Sequence, residues 1–204
     1  NRISGSGGLS KVGNSGLVSS GGVNDYTGAT VINGGILSVG SLANGGAASD
    51  IGSSGSGAAN LVLNGGTLEY TGAGATSDRL LTIGTAGGRI ISAGFGNLNL
   101  NNGGVIGLSG SGARTFTLNS TNANGDTFAG ILGDNGGPTA VTKTGPGKWI
   151  LTGNNTNSGT ITIASGVLQV GAGGATGAIG SGNVVNNGSL GFNRSGTLTV
   201  NGNL

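Results

Sequence analysis

Three residue types are missing altogether: the 204-residue chain has no Cys, no His and no Met. Without cysteine there is neither a disulfide framework nor a thiolate metal site. Without histidine the commonest general base and metal ligand is gone, and a Ser-His-Asp triad is impossible. Only 2 prolines occur, and the 50 glycines follow no three-residue period, which excludes a collagen triple helix. Charged residues make up 7% of the chain, too few for a charge-driven disordered tail. The net charge is +2, and no two basic residues lie closer than Lys143 and Lys148, so the clustered positive stripe that nucleic acid requires is absent. No apolar run approaches the roughly 20 residues of a membrane-spanning helix. No signal-peptide pattern occurs, and the chain opens on Asn1-Arg2-Ile3, which reads as a piece cut from a longer mature protein. A chain without cysteine suits passage through an oxidising periplasm.

What the sequence does have is a series of short apolar runs bounded by Gly, Asn and Ser. Examples are Leu61-Val62-Leu63, Leu80-Leu81-Thr82-Ile83, Trp149-Ile150-Leu151-Thr152 and Val167-Leu168-Gln169-Val170. They are rich in β-branched residues and recur at roughly ten-residue spacing, as strands do. Glycine at this frequency opposes helix, at about 1 kcal/mol per interior position relative to alanine. Eight Asn-Gly pairs punctuate the runs, starting at Asn33, Asn44, Asn64, Asn102, Asn124, Asn135, Asn187 and Asn201. Such pairs mark tight turns, either in hairpins or at the corners of a β-helix.

An internal repeat decides between the two. Thr27-Gly28-Ala29-Thr30-Val31-Ile32-Asn33-Gly34-Gly35-Ile36-Leu37-Ser38-Val39-Gly40 aligns without gaps on Ser158-Gly159-Thr160-Ile161-Thr162-Ile163-Ala164-Ser165-Gly166-Val167-Leu168-Gln169-Val170-Gly171. Upstream, Leu9-Ser10-Lys11-Val12-Gly13 matches Val141-Thr142-Lys143-Thr144-Gly145. Downstream, Asn64-Gly65-Gly66-Thr67-Leu68-Glu69-Tyr70 matches Asn186-Asn187-Gly188-Ser189-Leu190-Gly191-Phe192. The offset slips from 132 to 131 to 122, with the large slip in the Ser/Gly/Ala stretch 41–57. Loop length varies while strand content is kept, which is how a stack of coils behaves. The chain begins and stops in mid-repeat, so we expect a segment of a longer array.

The stretch Lys143-Thr144-Gly145-Pro146-Gly147-Lys148-Trp149-Ile150-Leu151-Thr152-Gly153-Asn154-Asn155-Thr156, followed by Gly166-Val167-Leu168-Gln169-Val170-Gly171, resembles the passenger-associated transport repeat of bacterial autotransporters, also called the autotransporter-associated β-strand repeat. Residues 9–40 match more loosely. There Leu17 takes the Trp place and Gly22-Val23-Asn24-Asp25-Tyr26-Thr27-Gly28 replaces the Asn-Asn-Thr element. In the better copy Asn157 stands at a Tyr place. The resemblance implies an all-β, right-handed parallel β-helix. It implies export through an outer-membrane translocator barrel, display outside the cell or release, and no shared enzymatic activity. We expect one continuous solenoid segment over 1–204, with repeat copies 9–40 and 141–171 and spacer coils 41–140 and 172–204. Coils of about 20 residues would give roughly ten of them, stacked about 4.8 Å apart and continuing beyond both ends.

No catalytic, cofactor-binding or metal-ligating residue is assigned from the sequence, and no cofactor is expected. The carboxylates Asp25, Asp50, Glu69, Asp78, Asp126 and Asp134 are scattered through Gly/Asn/Ser-rich turns, where we read them as solvated. No G-x-S-x-G elbow and no phosphate-binding G-x-x-x-x-G-K-[ST] occurs. Asn124-Gly125-Asp126 and Asp134-Asn135-Gly136-Gly137 offer oxygen ligands but do not extend into a calcium-binding nonapeptide. Thr-x-Thr at Thr115/Thr117, Thr160/Thr162 and Thr197/Thr199 reads as outward β positions rather than an ice-binding array. The aromatics Tyr26, Tyr70, Phe95, Phe116, Phe128, Trp149 and Phe192 read as core packing, with Tyr70 and Phe192 at equivalent repeat places.

The expected function is a rigid structural or adhesive spacer at the bacterial cell surface or in the extracellular space, not an enzyme. Sequential folding of its coils would assist vectorial export. Expected partners are neighbouring copies of the same protein, end to end or side by side, cell-surface or matrix glycans, and the translocator barrel; nucleic acid is not among them. A subunit of an extracellular filament or sheath is the alternative. A polysaccharide-cleaving β-helix enzyme is the third reading, disfavoured by the scattered carboxylates.

Overall fold

The computed structural model describes residues 1–20 and 23–203 and is built from short strands wound into a parallel β-solenoid. Gly22, which opens the divergent element of the first repeat, lies outside the described residues. Three faces follow one another around each full coil. The first face stacks Leu9–Lys11, Thr30–Ile32, Leu61–Leu63, Thr82–Ile83 and Gly107–Leu108. The second is the longest, with eight strands from Gly16–Ser19 to Val184–Asn186. The third runs through six strands from Ala75–Ser77 to Ser189–Phe192. The first face is carried on by a bridge between Val105 and Ile131 and by the pair Asn154–Asn155 and Ala178–Ile179. Among the described residues there is no α-helix, only the single 3-10 turn Ala58–Asn60.

Eight stacked strands correct the expectation of ten coils. At about 4.8 Å per rung the second face is roughly 35 Å from first strand to last. The estimate overshot because the corner loops are longer than the sequence pattern implied. In the second coil the third face is replaced by a loop, the stretch 40–60.

Among the described residues all pairing between the strands is parallel, and antiparallel contact is confined to the isolated bridges Asn24–Ser49 and Gly84–Gly87. Backbone geometry explains why the Asn-Gly pairs do not make hairpins. A two-residue type I′ turn needs positive φ at both central residues. Among the described residues no non-glycine has positive φ, so asparagine never supplies it. In the pairs themselves only Gly65, Gly125 and Gly136 adopt it, and the chain bends without reversing.

Inside, side chains stack in columns. On the second face the inward column reads Leu37, Leu68, Ile90, Leu118, Lys143, Ile163. All six are essentially inaccessible to solvent. Equivalent places of the two repeat copies are buried alike: Ile32 with Ile163, Leu37 with Leu168, Val39 with Val170. Yet the copies do not lie on the same faces. Leu9–Lys11 belongs to the first face, whereas the matching strand Thr139–Thr144 belongs to the second. Ile36–Val39 belongs to the second and its match Val167–Val170 to the third. The repeat is therefore turned by one face around the axis. What it preserves is a corner, a strand followed by a glycine bend and a second strand.

Candidate functional site

The preserved corner contains a buried lysine. Lys143 is fully buried and stands in an aliphatic column between Leu118 and Ile163. Its ammonium donates to the carbonyls of Thr144 at 2.7 Å, Gly145 at 2.9 Å and Ser165 at 3.2 Å. Lys11 does the same in the first copy, donating to Val12 at 2.7 Å, Gly13 at 2.9 Å and Gly34 at 3.1 Å. An ammonium has three donors and each is used. Two acceptors lie in the lysine's own bend and one in the coil above, so each lysine fastens neighbouring coils together. Burial pushes the Lys143 ammonium down to about 8, against the opposing pull of Asp126.

Glycine closes each cage. Gly35 and Gly166 have φ of 63° and 70°. A Cβ at Gly35 would lie 2.7 Å from Lys11 Nζ, and one at Gly166 would lie 2.8 Å from Lys143 Nζ. Only a residue without a side chain fits that bend and leaves the ammonium its carbonyls.

Two buried arginines follow the same rule. Arg79, almost fully buried, donates to Ala43 O at 3.1 Å, Ser54 Oγ at 2.9 Å, Gly52 O at 3.0 Å and Ala47 O at 3.2 Å. It thereby pins the loop that the repeat alignment marked as variable. Arg114 donates to Ile83, Ser109 and Gly110 carbonyls. The carboxylates take the complementary part and accept turn amides. Asp50 accepts from Gly40 N and Ser41 N, both at 2.8 Å. Asp134 accepts from Thr139 N at 2.7 Å and from Ser158 N at 2.9 Å. Burial would raise the Asp134 carboxyl, but bonds from Ser158 and Thr139 outweigh it and hold it low. Among the described residues Arg2–Asp25 is the one ion pair.

This corrects the reading of two of the carboxylates as solvated, whereas Asp134 stays exposed. Asp50 is 2% exposed and Asp126 is fully buried. Asp126 Oδ1 accepts from Leu98 N at 2.7 Å and Ser92 Oγ at 3.0 Å. In both candidate calcium segments the carboxylate is thus engaged by protein donors. Among the described residues no group of three or more carboxylates gathers as metal ligands would. The sequence signal for this role was present but ambiguous: a lone acidic residue beside Gly, Asn or Ser reads equally as a solvated turn and as a turn staple.

Outward places carry a different chemistry. On the third to seventh strands of the second face one outward row reads Thr67, Arg89, Thr117, Thr142, Thr162, with Ile36 and Val185 at its ends. Thr115 pairs with Ala140 in the adjacent row. Thr115/Thr117 and Thr160/Thr162, which looked isolated in sequence, therefore belong to one face with only the strand carrying Ala140 and Thr142 between them. Thr197/Thr199 lies outside any strand. An open trough of ≈ 250 Å³ is lined by Thr67, Arg89, Thr115, Thr117 and glycine backbone, and a second of ≈ 420 Å³ adjoins it through Ala86 and Thr115.

The aromatics divide. Tyr26, Tyr70, Phe116, Phe128 and Trp149 are buried, and Trp149 Nε1 donates to Asn119 O at 3.0 Å. Phe95 is 99% exposed on a glycine corner, which contradicts its assignment to the core. Phe192 is 44% exposed because its strand is the last of the third face.

A family model described as passenger-associated-transport-repeat matches residues 9–39 and 141–170. Over 169 residues the chain is 44% identical to the "Adhesin BmaC autotransporter" of Brucella suis biovar 1 (strain 1330), an alignment covering 81% of this chain. The chain spans 5% of that relative's length. No solved structure matches it.

Proposed function

We propose that this chain, which matches the passenger-associated transport repeat twice, is a segment of an autotransporter-type passenger acting as a surface-displayed structural and adhesive spacer. The observation that carries the reading is how the solenoid spends its polar groups. Two of its three lysines and most of its arginines and aspartates staple corners, while one outer row of the longest face is mainly threonine with Arg89 as its one charge. A rod held by such internal fastenings can present its outer faces at a distance from the membrane. No catalytic role is part of this reading, and no site residue is assigned to chemistry. The whole chain acts as one segment, its repeat copies being joined by spacer coils, and winds right-handed as parallel crossovers do.

Partners follow from the same reading: the outer-membrane translocator during export, glycans or further copies of the protein once displayed. Coil-by-coil folding would favour outward movement. Each strand pairs only with those of adjacent coils, so folding can advance from one end. Attachment is the primary test. Beads coated with the chain should bind cell monolayers above uncoated beads; equal attachment would remove the adhesive reading. Export is tested separately, by comparing secretion of the parent passenger with and without Gly166→Ala. An unchanged secretion rate would remove the folding bias.

A further inference from the structure

We infer that the trough around Arg89 binds the carboxylate of an acidic sugar on an otherwise neutral glycan chain, an inference that rests on the adhesive reading above. Among the described residues Arg89 is the one cation on the outer side of the second face, since Arg114 is buried and Lys143 points inward. Its Nε is shielded from solvent and has no hydrogen-bond partner. The other arginines with a partnerless Nε, Arg114 and Arg194, each deliver their terminal nitrogens to main-chain carbonyls. Arg89 does not share that use. Among the described residues its terminal nitrogens, unlike theirs, take no protein acceptor, and a carboxylate presents two oxygens to such a guanidinium end.

The surroundings select the rest of the ligand. Thr67 and Thr117 flank Arg89 on the neighbouring rungs, and Thr115 lies beside them. Glycines 65, 66, 87 and 88 leave the trough floor as bare backbone. Hydroxyls at successive rungs suit a chain rich in hydroxyls, laid along the axis. A peptide added as a strand would need an open sheet edge, whereas here the trough crosses strands whose ladder bonds are already made. The trough is open and, at ≈ 250 Å³, falls short of the roughly 300–1,000 Å³ of pockets that enclose a free small molecule. A polyanion is disfavoured as well. There is one guanidinium, and Glu69 occupies an outward place on the strand of Thr67.

A site with one charged contact and no aromatic platform binds weakly alone, so multivalent presentation is the suitable probe. The full chain should be immobilised and tested against a polymer bearing lactose, the same polymer bearing sialyllactose, and heparin. The expected result is retention of the sialylated polymer over the lactose polymer by roughly tenfold or more, the scale of a charge-assisted hydrogen bond. Arg89→Gln should abolish that difference, Arg89→Lys should keep part of it, and Thr117→Val should weaken it. Lys148→Gln, on another face, should leave it unchanged. Circular dichroism and a cooperative unfolding curve verify that each variant is folded, and Thr117→Val carries the test if Arg89→Gln is not. Equal retention of the two polymers by wild type, an undiminished difference in folded Arg89→Gln, or preference for heparin overturns the inference. Bead attachment separates it from its premise: if wild-type and Arg89→Gln beads attach equally to sialylated cells, this inference falls and adhesion stands.

Discussion

Lys11 and Lys143 occupy equivalent cages on different faces of one solenoid. Each ammonium is held by two carbonyls of its own bend and one from the next coil, at distances that agree within 0.1 Å from copy to copy. One cage follows the first face and the other the second. The repeat thus encodes a corner that works at any vertex of the coil, with the lysine as its pin. A hydrophobic ladder alone would leave the bend carbonyls without donors inside the rod.

Removing the pin should therefore be worse than its one charge suggests. Lys143→Ala leaves a cavity in the aliphatic column and strips three carbonyls of their donor. Together these should cost about 3–5 kcal/mol. Lys143→Met restores most of the volume but none of the hydrogen bonds, and should cost about 1–3 kcal/mol. Urea unfolding midpoints of the two variants measure the split. A Met variant as stable as wild type would show that the carbonyls find other donors.

The same lysine should make stability rise with mild alkali. Its folded-state value of about 8 lies below the ordinary lysine value of 10.5. Between those limits the unfolded chain binds more protons than the folded one, so unfolding becomes harder as pH rises. From pH 8 to 9.5 the gain is on the order of 1–2 kcal/mol. Higher pH brings an opposite effect. Tyr26 and Tyr70 are raised by burial, so they stay protonated in the fold after ionising in the unfolded chain, and stability is lost above about pH 10. Urea midpoints at pH 8 and 9.5 test the claim, and Lys143→Met should flatten the rise.

Gly166 and Gly103 should respond oppositely to alanine. At Gly166 the new Cβ meets positive φ, the Lys143 ammonium at 2.8 Å and Gly147 O at 2.5 Å. Strain and the displaced cage together predict a loss of about 2 kcal/mol or more. At Gly103 the φ is ordinary and nothing lies within 4 Å, so alanine should be neutral or stabilising by up to about 1 kcal/mol. Thermal unfolding of the two single variants decides it.

The parts of this fold that were legible in sequence are those set by alternation. Phe116-Thr117-Leu118 and Ile161-Thr162-Ile163 alternate inside and outside as their side chains suggest, with the apolar residues buried and the threonine facing out. The repeat pointed correctly to stacked coils. The rotation of that repeat by one face was not legible, because it depends on the summed length of loops such as 40–60, which no periodicity fixes. The outer threonine face was hidden for the same reason: Thr117 and Thr162 are neighbours-but-one in the stack only after register is known. The lysine cages were concealed differently. A lysine in a strand ordinarily reads as an exposed residue, and only its recurrence before a glycine bend, at Lys11 and Lys143, carried the signal.

Phe95 and Phe116 provide a final contrast, because the sequence placed both in the core. Phe116 is fully buried and packs on Phe128 with ring centroids 5.2 Å apart. Its truncation to alanine removes an aromatic from a narrow interior that cannot collapse across a fixed coil spacing, so the loss should be about 3–5 kcal/mol. Phe95 projects from the corner between Gly94 and Gly96 and is almost wholly exposed. Phe95→Ser should shift unfolding by no more than about 0.5 kcal/mol. Because each coil is stabilised chiefly by its neighbours, Phe116→Ala should also open the rod locally. Hydrogen exchange should quicken first in the strands beside Phe116, Gly88–Ser92 and Thr139–Thr144, before it quickens at either end. Uniformly faster exchange throughout would mean that the solenoid unfolds as one cooperative body.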